Sequence, residues 1–388
     1  MRVETIQRIA DVGREEWDLL VGDGSAFLEW EWLSALEESY CVGSETGWVP
    51  RHLTARDETG RLVAACPLYV KTHSMGEFVF DHAWADASER AGIPYYPKLL
   101  VGVPFTPVPG ERLLTAPGAD RHALMRILGE GLLGLCSESG ASSIHVNFCL
   151  PDEAAALAEC GFDRRVGLQF HWRNRGWDDF DGWLGALRSK RRKEVRRERR
   201  ELSAQGVEVR FHSGDAIPDE LFEPMFRLYC STIDKFSHWG RQYLNEALFD
   251  LLRDRWRHRL SMAIARRGGE VVGGALNVRK GEVLHGRYWG CFEELRFLHF
   301  NVCYHAAIEH CIAEGITWYS SGSGGGFKRT RGFDAEPVLS MHHVTHPGLR
   351  GAVRRFLEAE RPEVEAQIRT LRGHSALRAE VASAPAGR

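Results

Sequence analysis

Three stretches of this sequence gather residues with chemical potential. The first is SSGSGGG (320–326), followed at once by FKRTRGF (327–333). A glycine-rich turn frees backbone N–H groups to face an anion. Lys328, Arg329 and Arg331 add cations there, and Ser321 and Ser323 add hydroxyls. A phosphate, a carboxylate or an oxyanion suits such a place. A flexible loop with solvated basic residues is the plainer reading. The stretch lacks the GxxxxGK[ST] spacing of a P-loop and any Q/RxxGxG/A pyrophosphate loop, which weighs against acetyl-CoA. The second stretch is HGRYWG (285–290). As a strand it puts His285, Arg287 and Trp289 on one face and Tyr288 and Gly290 on the other. A buried Arg287 needs a partner. It either lines a cleft or pairs structurally with Glu293 or Asp334. His299 and Asn301 flank the next helix start, where dipole and free N–H groups favour anions. Tyr304 follows on that helix, and the alternative for His299 is a satisfied core or cap residue. In the third stretch His73, Glu77, Asp81, His82 and Asp86 crowd around Trp84, with Tyr95, Tyr96 and Lys98 beyond. These carboxylates suit an acceptor amine, either binding it or removing its proton. The alternative is a polar network holding a loop.

Between these stretches lies LRSKRRKEVRRERREL (187–202). From Arg188 to Arg200 it carries nine Lys/Arg and two Glu, a net of +7, whereas the whole chain of 388 residues is −3. Charge concentrated against the global sign points to a polyanion partner, most simply RNA, since arginine forks suit phosphate oxygens. The candidate contacts are Arg188, Lys190, Arg191, Arg192, Lys193, Arg196, Arg197, Arg199 and Arg200. The segment has no Pro or Gly and is rich in helix formers. Leu187, Val195 and Leu202 fall on one helical stripe. The competing reading is a solvated linker helix with i,i+4 pairs Lys190–Glu194 and Arg197–Glu201. Trp172 in QFHWRN, beside this helix, suits stacking on a base or a place in the core.

Composition bounds the rest. Hydrophobic residues at 44% and charged residues at 27% are ordinary for a globular protein, and the length predicts two domains or three small ones. No apolar run is long enough for a transmembrane helix, and the N-terminus has no signal-peptide core. The nine Cys form no CxxC pair, which predicts reduced thiols, a cytoplasmic location and no metal site.

The elements that must position these residues recur. Residues 14–40 predict one or two amphipathic helices. HLTARD, the turn Glu58-Thr59-Gly60 and LVAACPLYVK predict a hairpin, and FVFDHAWAD (78–86) a strand. Residues 92–118 are rich in Pro and Gly. A helix over 119–139, the strand SSIHVNF (142–148), a short helix over Ala154–Cys160 and the strand RVGLQFHWRN (165–174) follow. After the basic helix come VEVRF (207–211), helices over Leu221–Tyr229 and Gln242–Trp256, a hairpin through Gly268-Gly269, the strand VLHGRYWG, a helix over His299–Ile312 and the strand ITWYSSG. Gly60, Val63 and Lys71 align with Gly269, Val272 and Lys280 at an offset of 209, and Trp84 aligns with Trp289 at an offset of 205. Each half then continues as helix and strand, the mark of an internal repeat.

A duplicated unit of hairpin, strand, helix and strand resembles the GNAT-like acyltransferase fold in tandem. More narrowly, the chain resembles the FemAB-like branch of peptidoglycan biosynthesis or recognition proteins. The motifs that carry this are HSMGEFVFDHAWADASERAG (73–92), YYPKL (95–99), PFTP (104–107), SSIHVNF, QFHWRN, SKRRKEVRRERR (189–200), HGRYWGCFEE (285–294), LHFNVCYHAAIEHCIAEGI (298–316) and FKRTRGF. The resemblance implies an α+β fold of two tandem GNAT-like domains, and the repeat with the basic segment between its halves divides them into an N-terminal domain over 1–175, a basic linking helix over 176–204 and a C-terminal domain with C-terminal helices over 205–388. It also implies acyl transfer, from aminoacyl-tRNA in Fem-type enzymes or from acyl-CoA in other GNAT-like proteins. A lysine after the last strand helps the transfer in Fem-like relatives, a role that falls here on Lys328. Two departures stand out. The family pattern has roughly EAGAQGEHK where this chain has SSGSGGGFK (320–328), and Glu where this chain has Asn301.

Direct attack by a bound acceptor is the expected chemistry, because no Ser-His-Asp spacing or GxSxG elbow is present. Lys328, Arg287 and Asp81 are the candidate catalytic residues. His73, Glu77, Trp84, Tyr96, Lys98, Trp289, His299, Asn301, Tyr304, Ser321, Ser323 and Arg331 are the candidate substrate contacts. The expected partners are charged tRNA as co-substrate and a small-molecule or peptide acceptor, with no DNA and no bound cofactor. An acyl-CoA-dependent N-acetyltransferase and a non-catalytic RNA- or polyanion-binding protein on the same fold are the competing readings.

Overall fold

A computed structural model describes residues 1–235, 241–322 and 324–382. In chain order the strands are β1 (Arg2–Ile6), β2 (Trp48–Pro50), β3 (His52–Arg56), β4 (Leu62–Cys66), β5 (Leu68–Lys71), β6 (Lys98–Val101), β7 (Leu114–Thr115), β8 (Ser143–Cys149), β9 (Asp163–Arg173), β10 (Val207–Ser213), β11 (Leu260–Arg267), β12 (Glu270–Lys280), β13 (Val283–Cys291), β14 (Trp318–Ser320) and β15 (Asp334–Val344). The helices are α1 (Arg14–Val21), α2 (Trp30–Glu38), α3 (His82–Arg90), α4 (Arg121–Ser139), α5 (Pro151–Glu159), α6 (Phe180–Ala186), α7 (Ser189–Ser203), α8 (Phe222–Lys235), α9 (Glu246–Arg255), α10 (Leu298–Phe300), α11 (Ala306–Ala313) and α12 (Pro347–Gly373). A π-helical turn, Asn301–His305, joins α10 to α11. The chain forms two compact units. One is Met1–Leu168 with Pro337–Gln367, and the other is Gln169–Glu336 with Ile368–Arg388. The basic helix α7 is therefore part of the second unit, and residues 337–367 return to the first.

In the first unit, β1, β3, β4 and β7 form an antiparallel sheet, and β15, β8, β6, β5 and β2 follow one another in a second. The predicted single strand LVAACPLYVK breaks at Pro67, which has no N–H to give to a ladder. As a result β4 pairs with β3 and β7, while β5 pairs with β6 and β2. The expected strand over 78–86 is not formed. Residues 82–90 are helical, with Trp84 and Ser88 buried one turn apart, because the alanine-rich stretch after Asp81 favours helix over extended backbone. The alignment of Trp84 with Trp289 fails for the same reason: one sits on α3 and the other on β13.

The repeat survives at another place. β6 pairs in parallel with β8 across α4, and β13 pairs in parallel with β14 across α10 and α11. The strand of the first unit that answers β13 is thus Lys98–Val101, inside the Pro- and Gly-rich stretch.

In the second unit the strand order is β10, β11, β12, β13, β14, β9. β14 pairs with β13 only from Val283 to His285, so β13 runs on to Cys291 beyond this pairing. α8 lies hard against β13 at Gly290, where a Cβ would stand 1.8 Å from the Leu228 carbonyl oxygen. Only glycine fits that approach. Leu202 of α7 enters a core with Val207, Ala263, Ala275, Leu298 and Val302, so the apolar stripe anchors the helix as its spacing predicts.

Candidate active site and basic helix

In the second unit Lys328 sits on a 3₁₀ turn, Gly326–Arg331, which follows Gly324 and Gly325 with φ of +73° and +82°. Those left-handed angles suit glycine. Lys328 is only 3% exposed, and its Nζ donates to the Gly322 carbonyl at 2.5 Å. Burial pulls its ammonium down to about 8. Its neighbourhood is aromatic. Phe327, 47% exposed, lies 5.9 Å from the His299 ring and 5.8 Å from Phe300. His299 also packs on Trp289 at 4.4 Å and on Tyr304 at 5.3 Å. Burial first, and then the nearby cations Arg331 and Lys328, hold the His299 imidazole down at about 4, so it is neutral near pH 7. The side-chain oxygens of Ser320 and Ser321 are buried with no hydrogen-bond partner among the described residues. Ser323 lies outside the described residues. The structure thus gathers Lys328, Trp289, His299 and Tyr304 from stretches that the sequence had kept 24 or more residues apart, β13 and α10 on one side and the glycine-rich turn on the other.

Three candidates have internal roles. Arg331 is 7% exposed, and its Nε and Nη2 donate to the Glu198 carboxylate at 3.1 and 2.5 Å. Its guanidinium lies 3.4 Å from the Phe300 ring centroid. Asn301 is buried and donates to the backbone carbonyls of Glu198 and Phe297. Tyr304, 2% exposed, packs on Phe333. Arg287 contacts the Tyr288 hydroxyl at 3.3 Å. Its expected structural partners are engaged elsewhere, since Glu293 pairs with Arg267 and Asp334 lies 3.6 Å from Arg175.

In the first unit the polar residues form a sealed network. Lys98, fully buried, donates to Ser74 at 2.8 Å, Glu77 at 2.9 Å and Asp81 at 2.5 Å. Three protons thus meet three acceptors. The Tyr95 hydroxyl also donates to Asp81, at 2.7 Å, and Tyr96 shares a hydrogen bond with Ser74. Burial pushes the Glu77 carboxyl up to about 7 against the pull of Lys98. For Asp81, burial opposes ionisation, but Lys98 and His145 outweigh it and hold the carboxyl below its ordinary range. His145 and His342 share one hydrogen bond between their Nδ1 atoms at 2.7 Å, with Trp84 against both rings. His73 bonds the Thr46 carbonyl. These carboxylates hold Lys98, as the polar-network alternative of the sequence has it, while Glu77 Oε1 and Asp81 Oδ1 are buried with no hydrogen-bond partner among the described residues.

α7 presents its cations as a band. Arg188, Lys190, Lys193, Arg196, Arg197 and Arg200 are exposed, while Arg191, Arg192 and Arg199 are half-buried. Several are engaged within the unit: Arg191 with Glu194 at 2.7 Å, Arg197 with Glu201 at 3.8 Å and Arg199 with Glu309 at 2.9 Å. The partner of Glu194 is thus Arg191 and not Lys190. Arg197 also lies over Phe297 and Arg199 over Phe180. Trp172 is fully buried, so it is core and offers no face to a base. Glu198, buried on the inner side of α7 with Arg331 and His305 on its carboxylate, is a residue that sequence reading did not single out. The signal was available, because positions 195, 198 and 202 share the inward stripe. Among the described residues no His/Cys/Asp/Glu group has the arrangement of a metal site, and no helix is long and apolar enough to cross a membrane.

Among solved structures the chain resembles FemX, with 13% identity and a TM-score of 0.57 over 91% of this chain and 100% of that one. It also resembles the C-terminal domain of a putative lysylphosphatidylglycerol synthetase from Agrobacterium fabrum, with 11% identity and a TM-score of 0.54 over 89% and 95%. The L-PGS of Bacillus licheniformis gives 9% identity and a TM-score of 0.53 over 89% and 97%. These likenesses show the fold alone, the mixed α+β architecture of FemX. No curated protein matches the sequence. The FemAB-like family, described as peptidoglycan biosynthesis/recognition, matches residues 8–379, and this chain belongs to that family.

Proposed function

We propose that this protein is an aminoacyl transferase that moves an aminoacyl group from charged tRNA to an amine or hydroxyl of a peptidoglycan-related acceptor, by direct attack. The observation that carries the reading is Lys328. It is a buried lysine with an ammonium drawn down to about 8, at the end of a glycine-rich segment, in the unit that also bears the exposed cations of α7. With an amine acceptor, the neutral nitrogen attacks the ester carbonyl carbon. The C–N bond forms and the carbonyl electrons move to oxygen. As the oxyanion collapses, the ester C–O bond to the terminal ribose breaks, and the acceptor's proton passes to the departing ribose oxygen. An ammonium at Lys328 stabilises the oxyanion. The cations of α7 hold the tRNA phosphates.

The test is a donor screen by mass spectrometry. Purified protein is given charged tRNAs or acyl-CoAs with peptidoglycan precursor peptides, and the acylated product is sought. Consumption of charged tRNA by wild type and not by Lys328→Ala supports the reading. Consumption of acyl-CoA alone replaces the donor. Binding of tRNA with no transfer from either donor class leaves the non-catalytic polyanion-binding alternative.

A further inference from the structure

Among the eleven charged side chains between Arg188 and Arg200, Glu198 differs in direction. It is 4% exposed and lies on the inward stripe between Val195 and Leu202, both buried. Its carboxylate takes three contacts from two side chains. Arg331 approaches through Nε at 3.1 Å and Nη2 at 2.5 Å, a fork on a fork, and the His305 Nε2 stands 2.8 Å from Oε2. Planar two-point pairing of this kind fixes direction as well as distance. Arg331 in turn donates through Nη1 to the Phe327 carbonyl at 2.8 Å and the Thr330 hydroxyl at 3.0 Å. The Phe327 carbonyl belongs to the peptide that leads into Lys328. The backbone carbonyl of Glu198 is held too, by the Asn301 side chain at 3.1 Å. An unbroken run of short contacts therefore leads from the middle of the basic helix to the peptide before Lys328. The lower face of Arg331 is closed by Phe300 at 3.4 Å.

We propose that Glu198 is a positioning residue that, through Arg331, sets the turn carrying Lys328 and so ties the placement of that lysine to the seating of the basic helix. The functional weight of this rests on the transferase reading above, but the geometric claim does not. Without the carboxylate, Arg331 is a buried guanidinium with no counter-charge, which a protein interior does not tolerate in place. It then leaves its stacked position on Phe300, and the turn loses its tie at Phe327. Lys328 becomes more exposed, and its ammonium returns toward its ordinary value.

The test reads Lys328 directly and needs no donor. The full-length protein is pulsed with trace acetic anhydride at a series of pH values, and acetylation of the Lys328 peptide is measured by mass spectrometry. Wild type is expected to titrate with a midpoint near 8 and to label slowly. Glu198→Gln is expected to raise the midpoint by about one pH unit or more and to speed labelling at high pH several-fold. Glu198→Asp, which keeps the charge, should fall between them. If Glu198→Gln does not fold, Arg331→Lys replaces it, since this keeps the charge but cannot hold both the carboxylate and the Phe327 carbonyl. Superimposable profiles in a folded variant overturn the proposal. Failure of every donor in the screen, with an altered labelling profile, leaves the positioning role standing and removes only the transferase reading. Once a donor is established, the same variant should lower kcat and leave the KM for the donor within about twofold.

Discussion

At the scale of single residues, the proposed transfer turns on Lys328. Removing one oxyanion donor typically costs about 10²–10³ in rate, so Lys328→Ala should lose that much turnover while its melting temperature stays close to wild type. The pH dependence carries a sign. Burial holds the ammonium at about 8, so the charged form needed for oxyanion stabilisation disappears as pH rises through that value. The kcat of the wild type should therefore fall above about pH 8, and Lys328→Arg, permanently charged, should abolish that descending limb while keeping some activity. A rate that climbs through pH 8 in the wild type would make the neutral amine a base instead. The position was legible in sequence, since a lysine just past seven glycines and serines stands out, whereas its burial was not. Lys98 was not legible in the same way, since its motif places it beside carboxylates without saying whether solvent reaches them. Full burial beside Glu77 and Asp81 settles that. Lys98→Met should destabilise the first unit by about 3–5 kcal/mol, because it leaves a buried carboxylate with no counter-charge. Thermal melting measures this, and an unchanged melting temperature would contradict it.

At the scale of elements, α7 joins two demands, a stripe that packs and a band that faces out. The stripe was plain in the spacing of Val195 and Leu202, whereas the pairing of Arg199 with Glu309 depends on a helix more than a hundred residues away. That contact matters for choosing substitutions, since reversing Arg199 strains α11 as well as altering the band. Lys190, Lys193 and Arg200 are exposed and make no ion pair among the described residues. Reversing all three to Glu should leave folding intact. If about five cations of the band meet phosphates at once, the slope of log K against log[salt] for tRNA is about −3.5, and losing three should flatten it by about 2. Binding should weaken alike for all tRNAs, because phosphate contacts carry no sequence information. Filter binding at several salt concentrations decides this. Unchanged affinity would return α7 to a solvated helix. The opposite error of sequence reading is α3. The aromatic alternation across FVFDHAWAD (78–86) suggested extended chain, but Ala83, Ala85 and Ala87 favour helix, and period-two patterning in so short a stretch cannot overrule them.

At the scale of the whole chain, the surprise is that the first unit is not continuous in sequence. A repeat suggests two successive domains and a cut near residue 175. The structure instead returns residues 337–367 to the first unit. The physical reason lies in what β15 and α12 cover. β15 pairs with β8 from Leu339 to Val344, and Val344, Leu349, Val353 and Leu357 join Trp84 and Tyr95 in one buried cluster. Nothing in a local pattern reveals such a return, because strand and helix signals are silent about which distant sheet they complete. Its weight is large. Burying each aliphatic side chain is worth roughly 1.5–3 kcal/mol, so four contribute about 6–12 kcal/mol as an upper value, comparable with the whole stability of a domain at about 5–15 kcal/mol. The His145–His342 hydrogen bond would be lost as well, leaving polar atoms of β8 without their partner. A fragment of residues 1–175 should therefore fail to fold, showing no cooperative thermal transition and binding hydrophobic dyes. Joining residues 337–367 to residues 1–168 through a flexible Gly/Ser linker should restore a cooperative melt, since loop-closure entropy grows only slowly with length. Circular dichroism melts of the two fragments measure the difference. Cooperative unfolding of residues 1–175 alone would mean that β15 and α12 merely decorate the unit, and the boundary suggested by the repeat would then be the correct one.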